Sequence, residues 1–442
     1  MLTERGHFLP TTTRYRHRWA ALSVLLTAEA MNLLDATIVQ VAGPVIHDGL
    51  PGPATDIPWF SAAYTLPFAA FLITGGRLGD VFGRAKVFKL GVTAFVLASL
   101  VCAAAPDAGL LIGARAAQGA AAALIIPQTI GLIRALFDGD ELAKALGSIG
   151  PVMGLSAVTG PLLGGLLTQA LSWRAVFLVN VPFGLAVLLA ARFLREDKAV
   201  SRPKLDVAGT VLVVAGAGLL VYPLISPGGT SWPLLAAGAA LLVVFGFHQR
   251  RTAAPLVEPS LFAHRGFPAA LVGSLLYFAV MTGLMLLVPM RLQLGEGVDV
   301  RTASLTLLPL SAGLAVSSWF AGAKLVPKFG ARVMFAGLGL LLAGILGVAG
   351  GVTPALAVCG LGMGTFTVPF FAAALHRVRP HETGSAAGLL NAVQQLGGTL
   401  GVALLGGLYL RSGTATTAFG VAAGLTVAAA VAVIPLSSRR GR

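Results

Sequence analysis

Runs of apolar residues long enough to cross a lipid bilayer recur along this chain, separated by short stretches that carry nearly all of its charge. A bilayer core about 30 Å thick takes about 20 residues of helix at about 1.5 Å each. Runs of that kind predict spans at 19–46, 57–76, 87–105, 109–133, 143–170, 174–194, 206–224, 231–248, 267–290, 304–323, 332–350, 354–375, 385–409 and 414–436. They are apolar all round rather than alternating over about ten residues, which predicts helices and argues against a membrane β-barrel.

Two stretches, 195–205 and 249–266, are polar enough to be real loops. They bracket two spans and leave six on each side. The expected fold is therefore an all-α integral membrane protein with fourteen transmembrane helices arranged as 6+2+6. Its units would be residues 1–194, a two-helix insertion at 195–266, and residues 267–442. An internal repeat supports the division: Arg77-Leu78-Gly79-Asp80-Val81-Phe82-Gly83 aligns with Lys324-Leu325-Val326-Pro327-Lys328-Phe329-Gly330. Each copy joins the second and third span of its six. Paired six-helix halves with a site between them suit a transporter that works by alternating access.

Composition agrees: 56% of residues are hydrophobic, 11% are charged, and mean hydropathy is +0.86. That leaves too little polar surface to coat a soluble globule. The net charge of +14 raises the question of nucleic acid, and the placement of the cations answers it. They gather in alternate loops: Arg77, Arg84, Lys86 and Lys89, then Arg192, Arg195, Lys198, Arg202 and Lys204, then Lys324, Lys328 and Arg332. The opposite loops hold only Arg174, Arg291, Arg301 and Arg411. This positive-inside pattern places both termini in the cytoplasm and makes anionic lipid, not nucleic acid, the partner of the basic loops. The basic then apolar N-terminus is too long for a signal peptide and is taken as the first span. Twenty-four arginines against seven lysines, amid abundant Ala and Gly, suggest a GC-rich bacterial gene and hence a bacterial cell membrane.

Chemistry must come from few residues. Cys102 and Cys359 lie within spans without metal-ligand spacing, and all seven histidines fall in loops or at span ends. No G-x-x-x-x-G-K-[ST] phosphate loop or nucleophile–base pairing is present, so neither an ATP-driven pump nor an enzyme is expected, nor any cofactor or metal. An ionisable group deep in a span costs several kcal/mol and needs a reason. Glu29 and Asp35 lie in the first span with Asn32 midway, and Arg115 lies in the fourth. Asp35 is about 25 Å of helix from Arg18, a level that Arg115 also reaches from the outer loop at Pro106. If the two helices are neighbours, the two side chains can pair. Desolvation favours the neutral carboxyl and a nearby arginine favours the charged one, so a conformational change could move its proton affinity. The competing reading is a static salt bridge that sets helix register. Glu29 is open between a second proton carrier, a contact for a cationic substrate and a helix-packing group.

In the fifth span, Gly150, Gly154, Gly160 and Gly164 repeat at four-residue spacing, with Pro151 and Pro161 beside them. Glycine faces let helices approach closely, and the prolines bend the helix, together making a hinge or seal between halves. Candidate cavity groups are Asn32, Tyr64, Gln118, Asn180, Tyr277, Met281, Phe366, Phe370, Asn391 and Gln394, a mix of aromatic, sulfur and amide groups suited to a small amphipathic organic molecule.

These residues together resemble the fourteen-span drug:proton antiporter family of the major facilitator superfamily, over nearly the whole chain. Gly76-Arg77-Leu78-Gly79-Asp80-Val81-Phe82-Gly83-Arg84 resembles the superfamily's loop motif between helices 2 and 3. Leu34 to Ala42 resembles the helix 1 motif of the fourteen-span branch, Arg115 to Gly119 its helix 4 motif, and Gly150 to Gly165 the helix 5 antiporter motif. By that resemblance Asp35 and Arg115 would serve proton coupling. Asp80, Arg84 and Arg134 would form a cytoplasmic charge cluster steadying the outward-open state. Departures are Gln40, Gly43 and Glu29 in helix 1, and Pro327 where the second loop motif would carry its acid. The implied activity is export of lipophilic drugs or secondary metabolites in exchange for protons, by a monomer. Symport on the same fold is the alternative, and a non-transporting receptor is a weaker one because the polar loops are short for docking a partner.

Overall fold

The computed structural model describes residues 15–197, 205–226, 231–252, 255–263, 266–351, 354–376, 378–379 and 382–437, and among these the regular structure is helical throughout. The first six long helices are α1 (Arg18–Asp48), α2 (Asp56–Phe82), α3 (Arg84–Ala104), α4 (Ala108–Leu136), α5 (Gly139–Ala170) and α6 (Ala175–Phe193). Then come α7 (Val207–Ile225), α8 (Trp232–Arg251), α9 (Gly266–Gly295), α10 (Val300–Phe320), α11 (Val333–Ala349), α12 (Ala355–Leu375), α13 (Thr383–Ser412) and α14 (Ala415–Ala432). Each expected apolar stretch overlaps a helix of this set, with ends that differ by a few residues.

By length and hydropathy there are 13 candidate membrane spans among the described residues, because Val300–Ala349 is helical almost without interruption and counts as one run of 50 residues. A straight helix of that length would reach about 75 Å. Here the path breaks instead: a π-turn at Ala321–Leu325 is followed by Gly330 at φ 63°, ψ −148°, a conformation that cannot continue a right-handed helix. Both α10 and α11 consequently pack along the 21-residue α12.

Helix starts follow local chemistry. Asp107 accepts from Leu110 N at 2.9 Å to open α4, and Asp299 accepts from Arg301 N and Thr302 N at 3.0 and 3.1 Å to open α10. These caps satisfy backbone donors that the helix itself leaves unpaired. Asp206 opens α7 by accepting from Gly209 N at 2.8 Å, and it also holds His248 and Gln249 of α8 at 2.8 and 2.7 Å. Burial opposes its ionisation, but those donors prevail and keep its carboxyl below the usual carboxylate range.

α1 sits at the centre. It packs on α2, α4, α5 and α6 on one side and on α9 and α10 on the other. α2 meets α13 and α5 meets α10, so the first six helices and the last six join along these pairs. The close approach of α2 and α4 depends on Gly119, where a Cβ would come within 2.0 Å of the Tyr64 carbonyl oxygen. α7 and α8 pair with each other, and α7 leans on α2 through Thr74 and Thr210, whose hydroxyls lie 2.8 Å apart. α8 is the least buried span, at 11%, as suits a helix facing lipid.

Candidate functional site

Asp35 and Arg115 form an ion pair inside the first six helices, each 0% exposed, with Arg115 Nη1 donating to Asp35 Oδ2 at 2.5 Å. A charge so placed is tolerable only when its remaining hydrogen-bonding capacity is met. Asp35 Oδ1 accepts from Gln118 Nε2 at 2.9 Å and from Asn180 Nδ2 at 2.6 Å. Both amides also donate to Ser99 Oγ, at 2.7 and 3.2 Å. Arg115 Nη1 donates to Gln118 Oε1 at 2.6 Å and its Nε to the Phe60 carbonyl at 2.9 Å. Tyr64 lies under the guanidinium, 4.4 Å from ring centroid to Cζ. The network thus gathers α1, α2, α3, α4 and α6 around one carboxylate. Arg115 Nη2 is buried and has no partner.

Gln118 and Asn180, expected in a cavity wall, serve instead as the amide donors to Asp35. Ser99 and the Phe60 carbonyl were not singled out from the sequence; a lone serine in an apolar span gives no cue, and a backbone carbonyl gives none at all. Tyr64 donates to Asn32 Oδ1 at 2.5 Å, leaving Asn32 Nδ2 buried and unpaired. Glu29, about two turns nearer the start of α1, is partly exposed and makes no hydrogen bond or ion pair among the described residues.

A cavity of about 580 Å³ opens where the ends of α2 and α4 approach the start of α13. Gly76, Arg77, Asp80, Arg84, Arg134 and Asn391 line it, as does Glu258 from the segment after α8. Asp80 accepts from Arg84 at 2.9 Å, and Arg84 also pairs with Asp197 at 3.1 Å. Arg134 shares the wall, but the ion pair at Asp80 is with Arg84. Gly83, at φ 107°, makes the turn into α3 in a conformation that favours glycine. Arg77 donates to the Pro255 carbonyl and so ties the segment after α8 to α2.

The other expected wall residues divide. Tyr277, Phe366 and Phe370 are a stacked core, with centroids 4.2 and 5.0 Å apart, and Tyr277 donates to the Met363 carbonyl at 2.9 Å. They support the second half from within. Met281 and Gln394 are partly exposed. The glycines of α5 divide as well. Gly160 and Gly164 lie against Thr37 and Ile38 of α1, and Pro161 is buried with them, whereas Gly150 and Gly154 have open space beside them and Pro151 is exposed. α5 is therefore sealed on α1 toward its end and free toward its start, the same end of the molecule at which the cavity opens.

The chain has relatives among known proteins. The chain is 43% identical over 421 residues to the "Probable actinorhodin transporter" of Streptomyces coelicolor, covering 89% of this chain and 73% of that one. It is 38% identical over 450 residues to a puromycin resistance protein of Streptomyces alboniger, covering 94% and 88%. It is 31% identical over 405 residues to the tetracenomycin C resistance and export protein of Streptomyces glaucescens, covering 88% and 75%. In fold it is similar to the human organic anion transporter MFSD10, with a TM-score of 0.65 at 15% identity over 94% of this chain and 99% of that one. The family model described as Major Facilitator Superfamily matches residues 25–402, a stretch that takes in the buried pair and the cavity and runs from α1 into α13, and it makes this multi-pass membrane protein a transporter of that superfamily.

Proposed function

We propose that the protein exports small amphipathic organic molecules, drugs or secondary metabolites, in exchange for protons. The observation that carries this reading is the Asp35–Arg115 pair: a fully buried carboxylate, on a helix that touches both halves, held by donors from α4 and α6. Because α1 also packs on α9 and α10 of the other half, rocking one half on the other would shift α1 against α4 and α6 and so alter both desolvation and pairing. Those are the two quantities that set a carboxylate's proton affinity. Protonation of Asp35 would release Arg115 and favour one arrangement; loss of the proton would favour the other. The relatives named for antibiotic resistance or export support an outward direction and make puromycin the first compound to try.

The same reading takes the chain as fourteen spans in a 6+2+6 order, with α10 and α11 crossing separately and residues 1–194, 195–266 and 267–442 as its units. Both termini and the Arg77–Arg84 turn would face the cytoplasm of a bacterial cell, so the cavity beside them is the substrate's way in. Asp80, Arg84 and Arg134 would act there as a gate that closes when the opposite face opens. The protein would work as a monomer and without a cofactor, on the proton gradient alone.

In everted vesicles with an acidified interior, adding puromycin should dissipate the gradient through the wild-type protein and not through Asp35→Asn. Equal dissipation by the two proteins would refute the assignment of Asp35.

A further inference from the structure

Glu29 lies about three turns into α1 and takes no part in the Asp35 network. Helices of both halves pack around α1, and several of its positions stay partly exposed among them. Leu26, Glu29, Leu33 and Ala36 are such positions, and their three- and four-residue spacing puts them on one stripe. Glu29 is the charged member of that stripe.

Among the described residues no ion pair to Glu29 is formed by the surrounding helices, where Asp56, Arg77 and Asp80 of α2 and Arg134 of α4 lie toward the helix ends. α2 contributes Tyr64 nearby, and α4 contributes Arg115, already engaged with Asp35. The charged residues of α5, α6, α9 and α10 sit toward the helix ends: Asp140, Glu141 and Lys144, Arg192, Arg291, and Arg301. One turn from Glu29, Asn32 is only 4% exposed, has its Oδ1 taken by Tyr64, and keeps an unpartnered Nδ2. An acid without a cation and a buried amide donor without an acceptor, side by side at the edge of an interhelical space, are complementary to a molecule carrying both missing groups.

We propose that Glu29 and Asn32 recognise an organic monocation, the carboxylate taking a protonated amine and Asn32 Nδ2 donating to an acceptor oxygen close to it. This deepens the export reading and rests on it for the identification of the interhelical space as a substrate path. When Glu29 is protonated, the incoming ammonium replaces that proton, which leaves to water, and charge in the site is conserved.

Puromycin, which carries a free amine beside a carbonyl, and N-acetylpuromycin, which does not present that cation, form a matched pair of probes. Binding of each to full-length protein in detergent is measured by isothermal titration. The wild type should prefer puromycin by about tenfold, the size of one charge-assisted hydrogen bond. Glu29→Gln should lose that preference through weaker puromycin binding alone, and Glu29→Asp should retain part of it. A folded Glu29→Gln protein that keeps the preference overturns the proposal, as does a wild type without one. Asp35→Asn separates the two readings. If it keeps the amine preference but not proton coupling, both stand; if coupling survives in Asp35→Asn while the preference is lost in Glu29→Gln, the coupling assignment fails and the cation site stands.

Discussion

Replacing Asp35 with leucine removes a carboxylate on which three side-chain donors converge. Arg115 would keep its bonds to Gln118 and to the Phe60 carbonyl, but it would have no counter-ion within a wholly buried site. Its Nη2 is unpartnered already, so the loss cannot be absorbed by a bond held in reserve. Breaking a buried pair from one side costs about 3–5 kcal/mol, whereas replacing both partners with apolar groups of similar volume is close to neutral. Asp35→Leu should therefore lower stability in detergent by about 3–5 kcal/mol, a change of more than about 100-fold in the folded-to-unfolded ratio. Adding Arg115→Met to that protein should restore most of it. Denaturant titration followed by tryptophan fluorescence reads both. A stable Asp35→Leu protein would refute the claim that the charges are desolvated against each other. A double variant as unstable as the single one would show that lost packing, not the orphaned charge, is responsible.

Two further predictions concern how the helices approach one another. Gly119→Ala places a methyl within 2.0 Å of the Tyr64 carbonyl oxygen, and it should cost about 1–3 kcal/mol of stability by forcing α2 from α4; a thermal melt unchanged from wild type contradicts this. Gly154→Cys should react with a membrane-impermeant maleimide added from the side of the Arg77–Arg84 turn, and Gly164→Cys, packed on Ile38, should not. Equal labelling of the two would contradict the sealed and open ends of α5.

What the sequence disclosed follows from how membrane helices are specified. A span is a local property of about 20 residues, so hydropathy finds it, and the glycine turn at Gly83 and the caps at Asp107 and Asp299 are equally local. Val300–Ala349 shows the limit: the two apolar stretches are visible, yet the π-turn and short helical segments between them keep the run helical almost without a break. The Asp35–Arg115 pair was legible because few ionisable groups enter the spans and those two share a depth. The donors Gln118 and Asn180 were visible as polar residues but not as partners of Asp35, since that depends on α4 and α6 returning to α1 across 83 and 145 residues of sequence. Tyr277, Phe366 and Phe370 were misleading for the opposite reason, because an aromatic residue looks the same in a sequence whether it lines a cavity or stacks in a core. The segment at Pro255–Glu258 is polar and short, and only its tie to Arg77 brings it to the cavity wall.

A proton taken up and released at Asp35 should drive transport. Purified protein in liposomes, with an imposed pH gradient and radiolabelled puromycin, tests it without other transporters present. The wild type should accumulate puromycin against its concentration gradient on the acidic side and lose it when a proton ionophore is added. Asp35→Asn should hold no more than protein-free liposomes trap as the protonated amine. Accumulation by Asp35→Asn to the wild-type level would contradict the account.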